Sequence, residues 1–86
     1  MVIGNNLKLL RKLKKKSQEE VAADLGLTRS SYSGYENGIA EPGLDTVVAL
    51  STYFAVPLDS LLKKDFSTFT DSDWATIETG VYSDVS

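Results

Sequence analysis

The stretch 17–38, SQEEVAADLGLTRSSYSGYENG, carries the local signals that organise the rest of the chain. Ser17 stands three residues before Glu20, the spacing at which a hydroxyl and a carboxylate cap each other's backbone amides at a helix start. Glu19 and Glu20 also suit the positive end of the helix dipole. Val21, Ala22 and Leu25 supply a buried face, and Gly26 follows where a left-handed residue ends a helix at least cost, so a helix of about two turns is predicted over 18–25. Thr28 is the next capping residue. A third helix is predicted over 29–35, before Asn37 and Gly38 break it. Two short helices therefore meet across a turn of three to four residues.

Upstream, Ile3, Leu7 and Leu10 recur at i, i+4 and i+7, with Leu9 and Leu13 widening the stripe. They predict an amphipathic helix over 5–16 with Lys8, Lys12 and Lys15 on its opposite face. Downstream, Leu44, Val47, Val48, Ser51 and Phe54 predict a fourth helix over 44–54. Leu58, Leu61 and Leu62 predict a short fifth helix after Pro57. Thr70 as a cap, with Phe69 and Trp74 at staple spacing, predicts a sixth over about 71–79, stopped by Gly80; Trp74, Ile77 and Val81 share one of its faces. No strand alternation or internal repeat occurs before residue 64. The expected fold is all-α: five short helices around one core, followed by a short helical tail.

The 86 residues carry a formal net charge of −3, but this adds two unlike regions. Residues 1–64 hold all nine Lys and Arg against seven acids, and residues 65–86 hold five acids and no base. Charge asymmetry of this kind points to an anionic partner, although a Lys-rich helix face also serves simply as solvated surface. The chain has no Cys and no His. That excludes disulfides, Cys/His zinc sites, thiol nucleophiles and His-based acid–base chemistry, so neither a metal nor another cofactor is expected and an enzyme is disfavoured. No apolar run approaches the roughly 18 residues of a membrane span, and residues 1–6 lack the features of a signal peptide, so the chain reads as cytoplasmic with no membrane partner. So small a domain also gains from dimerisation.

The segment 17–37 has the geometry of a helix-turn-helix, in which one helix braces on phosphates and the next lies in the major groove. Ser17-Gln18-Glu19-Glu20-Val21-Ala22, Gly26-Leu27-Thr28-Arg29, Tyr35-Glu36-Asn37-Gly38, Pro42 and the Leu44 to Leu62 pattern together closely resemble the phage-repressor and Cro-like family, also called the xenobiotic-response-element family. The resemblance spans residues 3–64. It implies a five-helix, lambda-repressor-like domain over 1–64 that binds double-stranded DNA as a homodimer on a two-fold-symmetric operator and regulates transcription. The tail over 65–86 is then a dimerisation element or the start of a linker.

Matched residue by residue, the resemblance implies base contacts from Arg29, Ser30, Ser33 and Gly34 in the third helix. Arg29 is the strongest reader, because its planar fork meets guanine O6 and N7 together. Gly34 replaces the polar side chain usual at its position, which removes a possible base contact at a helix cost of about 0.5–1 kcal/mol relative to Ala and implies either close backbone approach or a weak reader. Phosphate contacts are implied for Ser17, Gln18, Thr28, Ser31, Asn37 and Gly38, the side chain and amides at Gln18 using the helix N-terminus. Arg11 and Glu36 match the family's internal ion pair, and Tyr32 and Tyr35 read as packing residues. The loop Ile39-Ala40-Glu41 departs from the family by supplying no base and one acid. That departure, with Gly34 and the acidic aromatic tail, keeps a second reading in view: a protein-interaction or antitoxin-like module with a protein partner. Hydrolysis by Asp and Glu has no support, since no pair is placed in a recognisable cleft.

Overall fold

The computed structural model describes residues 2–74, and the described residues form helices and connecting turns without strands. In order these are α1 (Val2–Leu13), α2 (Gln18–Asp24), α3 (Arg29–Glu36), α4 (Leu44–Phe54) and α5 (Leu58–Lys63), then a 3-10 turn, Phe66–Thr68. A further helical turn covers 71–74. The caps form as their residue types require. Ser17 Oγ accepts the Glu20 amide at 3.0 Å, while Glu20 Oε1 accepts the Ser17 amide at 2.9 Å. Thr28 Oγ1 accepts the Ser31 amide at 3.1 Å at the head of α3.

Each of α1 to α4 ends in the same way. The chain turns left-handed at Lys15 (φ 58°), Gly26 (70°), Gly38 (73°) and Ala55 (56°). The residue after each then donates its N–H to a carbonyl five residues back: Lys16 to Arg11, Leu27 to Ala22, Ile39 to Gly34 and Val56 to Ser51, at 2.8–3.2 Å. The left-handed lysine corrects the expected extent of the first helix. It stops at Leu13 rather than near residue 16, because Lys15 takes the conformation that glycine takes after α2 and α3.

The core joins Ile3, Leu7 and Leu10 of α1, Val21 and Ala22 of α2, Tyr32 of α3, Val47, Leu50 and Phe54 of α4, Val56, Leu61 of α5, and Phe66. Four residues counted on apolar stripes are exposed instead. Leu13 is 59% exposed because α1 ends there, and Leu44 and Val48 are 74% and 45% exposed because α4 buries Val47, Leu50, Ser51 and Phe54 instead. Leu62 is also exposed, while Leu61 beside it is fully buried.

Packing continues past Lys64. Asn6, buried on α1, donates from Nδ2 to the carbonyls of Leu61 at 3.0 Å and Lys64 at 2.6 Å, and accepts the Phe66 amide at Oδ1 at 3.0 Å. One side chain thus satisfies three backbone groups where α5 runs out and seats Phe66, which is 1% exposed. Phe69 and Trp74 pack on Phe66 and on each other with ring centroids 4.9–5.2 Å apart. Thr70 and Asp73 exchange capping bonds at the next helical turn. Phe66, Phe69 and Trp74 thus form one aromatic cluster within the protomer. The predicted helix beyond residue 74, with Ile77, Val81 and the stop at Gly80, lies outside the described residues.

Candidate nucleic-acid interface

The two helices of the motif are locked to the rest of the domain from below. Glu36, in the last turn of α3, has a fully buried carboxylate that accepts from Arg11 Nε at 2.7 Å, from the second Arg11 nitrogen at 3.2 Å and from Gln18 Nε2 at 3.0 Å. Arg11 also donates to the Lys16 carbonyl at 3.0 Å. One carboxylate therefore ties α1, the start of α2 and the end of α3 together. Burial by itself would raise the Glu36 pKa, but the hydrogen bonds from Arg11 and Gln18 outweigh it and hold the group below its ordinary range. Glu36 in turn raises the Arg11 pKa through the same bond. Tyr32 packs beside this pair with its ring wholly buried, and burial pushes its phenol up.

A second clasp holds the far end of α2. Asp24 Oδ2 accepts from Tyr53 of α4 at 2.6 Å and from Lys16 at 2.8 Å, while Lys14 and Lys16 lie over the Tyr53 ring at 5.1 and 5.8 Å. The Lys16 hydrogen bond, followed by that from Tyr53, lowers the Asp24 pKa. Lys16, from the basic run after α1, is thus engaged within the fold.

Gly4 of α1 lies against the backbone of α3. A Cβ built there would lie 2.7 Å from the Glu36 carbonyl oxygen and 2.8 Å from that of Tyr35, so α1 rests directly on the backbone of the last turn of α3. Gly4 and Asn6 carried no sequence assignment, nor did the bond between Gln18 and Glu36. The only sequence signal for Asn6 is an amide at i+3 from Ile3 and i−4 from Leu10, within an apolar stripe.

On this frame the exposed side of α3 presents Arg29, Ser30 and Ser33 around one shallow concavity. Arg29 is exposed and enters no ion pair among the described residues. Ser30 is also exposed, and Ser33 half-buried. Gly34 lies one residue further along the helix, and a Cβ there would make an ordinary 3.6 Å contact with the Ala40 methyl group. These four residues assigned to bases occupy one side of the helix within two turns.

Several of the residues assigned to phosphates are already engaged. The hydroxyls of Ser17 and Thr28 serve as caps, and Thr28 also donates to Ser31 Oγ at 2.9 Å. Gln18 gives one amide hydrogen to Glu36 and keeps a second. In the turn after α3, the Asn37 amide donates to Ser33 O at 3.0 Å and the Gly38 amide to Tyr35 O at 3.4 Å. The Asn37 side chain donates to Ser33 Oγ at 3.3 Å. What remains at this end is the second Asn37 side-chain hydrogen rather than a row of free amides.

No cluster of His, Cys, Asp or Glu suited to a metal ion occurs among the described residues, and no described helix is long and apolar enough to cross a membrane.

A helix-turn-helix family profile matches residues 7–61, so the chain belongs to the helix-turn-helix family. Among its relatives is YqaE of Bacillus subtilis (strain 168), an uncharacterized HTH-type transcriptional regulator. It is 44% identical over 62 residues, which cover 72% of this chain and 53% of the relative. The SPbeta prophage-derived regulator YonR of the same organism, also uncharacterized, is 43% identical over 68 residues, covering 79% and 63%. RstR of Vibrio cholerae, a cryptic phage CTXphi transcriptional repressor, is 33% identical over 61 residues, covering 71% and 55%. The chain spans between half and two thirds of the length of these relatives. No solved structure matches it.

Proposed function

We propose that this protein is a sequence-specific DNA-binding transcriptional regulator that acts as a homodimer on a two-fold-symmetric operator. One observation carries the reading: an uncommitted Arg29 stands with Ser30 and Ser33 on the open side of a helix whose buried side is fixed by Tyr32 and Glu36. Held groups of this kind read base edges, because little ordering is needed on binding. The relatives named as transcriptional regulators and a phage repressor support it.

In this reading α3 enters the major groove, with Arg29, Ser30 and Ser33 toward the bases and Gly34 allowing close backbone approach. Gln18, Ser31 and Asn37 hold phosphates with their remaining hydrogens. Ser17, Thr28 and Gly38 shape the helix ends that meet the backbone. The two recognition helices of a dimer would sit about 34 Å apart.

Selection of binding sites from random duplexes, followed by fluorescence anisotropy at several salt concentrations, tests the proposal. Selective, salt-sensitive binding by a sedimenting dimer is expected. Arg29→Ala relaxes base preference at one position by about 1–3 kcal/mol, whereas Gln18→Ala weakens all sequences more evenly. Absence of any selected sequence would sink the reading. It would favour instead a protein-interaction module, for which Ile39, 82% exposed in a loop without a base, and Leu44, 74% exposed, offer apolar surface.

A further inference from the structure

The turn that closes α3 offers an anion no charge and no free backbone amide, only the remaining Asn37 side-chain hydrogen. The amides of Asn37, Gly38, Ile39 and Ala40 all donate to carbonyls of α3. The negative end of the helix dipole points into this turn, and the next charged residue is Glu41. DNA lying along α3 would bring a phosphate near this end, and nothing in the turn or the following loop offsets the charge.

Helix α1 carries a lysine on the side that meets this end of α3. Gly4 rests on the carbonyls of Tyr35 and Glu36, and Arg11, two turns later, reaches the Glu36 carboxylate, so one stripe of α1 follows the end of α3. Lys8 lies between them, four residues after Gly4 and three before Arg11, on the same side of the helix. It is half-buried and enters no ion pair among the described residues, whereas the charge of Arg11 is taken up by Glu36. Lys12 is exposed one turn further on, and Lys16 is engaged with Asp24.

We propose that Lys8 is a DNA-backbone contact, its ammonium taking one phosphate beside the Asn37-Gly38 turn. The contact compensates for the acidic loop and sets how far the duplex extends along α3. It rests on the DNA-binding reading above and assigns a residue that the motif does not include. A phosphate contact carries no base information, so its loss weakens every sequence alike.

The test compares Lys8→Met, which keeps the apolar stem, with Lys8→Arg and Lys63→Met. Lys63 is paired with Asp59 on α5, which packs chiefly on α1 and α4. Affinity for the selected operator and for a scrambled duplex is measured between 50 and 200 mM salt, roughly the range over which phosphate contacts are resolved. Lys8→Met is expected to lower the slope of log affinity against log salt by about 0.9 per protomer, on both duplexes, with unchanged thermal melting. Lys8→Arg restores the slope and Lys63→Met leaves it alone. An unchanged slope in Lys8→Met, an equal loss in Lys63→Met, or a loss confined to the operator overturns the assignment. Wild-type protein that binds neither duplex overturns the regulator reading and Lys8 with it.

Discussion

Alanine at Gly4 and alanine at Gly34 should shift stability in opposite directions, although both replace a helical glycine. In a helix interior the exchange alone is worth roughly 0.8–1 kcal/mol in favour of Ala. At Gly34 that gain is free to appear: the new methyl meets only the Ala40 side chain at 3.6 Å, an ordinary contact. At Gly4 the new methyl would stand 2.7 and 2.8 Å from two backbone oxygens, about 0.5 Å inside the ~3.3 Å at which carbon meets a carbonyl oxygen. Those oxygens belong to the last turn of α3 and cannot rotate away as the end of a side chain can. The helices must separate, which loosens the Arg11 to Glu36 bond as well. Overpacking costs about 1–3 kcal/mol, and backbone oxygens that cannot yield place this contact in the upper part of that range, about 2–3 kcal/mol, so Gly4→Ala is expected to be net destabilising by about 1–2 kcal/mol after the propensity gain. Gly34→Ala should be net stabilising by about 0.5–1 kcal/mol. Urea unfolding followed by circular dichroism gives both numbers from the shift in midpoint at constant slope. For a domain this size, Gly4→Ala should also melt roughly 5–10 °C lower. A Gly4→Ala protein as stable as the wild type would refute the backbone contact and the role given to it in placing α3.

Two further outcomes follow from the interior of the motif and from the helix ends. Glu36 titrates lower in the folded chain than in the unfolded one, so its contribution is present above the ordinary carboxylate pKa of about 4.3 and is lost as pH falls through the lower folded value. Glu36→Gln should therefore cost about 3 kcal/mol at neutral pH, and its gap from the wild type should narrow in urea unfolding below about pH 4; a constant gap would contradict the ion pair as its source. Ala55→Gly and Lys15→Gly should each raise stability by about 0.5–1 kcal/mol, because both positions are left-handed and an L side chain is strained there. A lower unfolding midpoint in either would count against the turn geometry.

Much of the architecture was legible because its signals are local. Capping hydroxyls act on amides two or three residues away, an apolar stripe is a property of one helix, and glycine advertises a left-handed turn by its own identity. The extents of α2, α3 and α4 could be read to within a residue for that reason. The end of α1 could not, since Lys15 takes the left-handed conformation without any mark in its side chain, and neither could the same turn at Ala55. Apolar periodicity also overstated burial at Leu13, Leu44 and Val48, where no partner element covers the face.

The open side of α3 was legible in part, because Arg29, Ser30 and Ser33 follow from the motif and need only a helix to share a side. What holds that helix was less so. The Arg11 and Glu36 pairing was suggested by family resemblance, but the third arm from Gln18 joins residues 18 apart in the chain, and Asn6 finds its three partners 55 to 60 residues away. Gly4 looks like any helix-weakening glycine until two carbonyls of α3 are found against it. By itself the sequence determined an all-α chain with a capped pair of short helices, a basic first helix and an acidic tail, because those properties belong to residues and their near neighbours. Only the tertiary structure decided which polar groups are spent inside the fold and which, Arg29 and Lys8 above all, are left without an ion pair among the described residues, because a hydrogen bond or close contact exists only once distant segments are brought together.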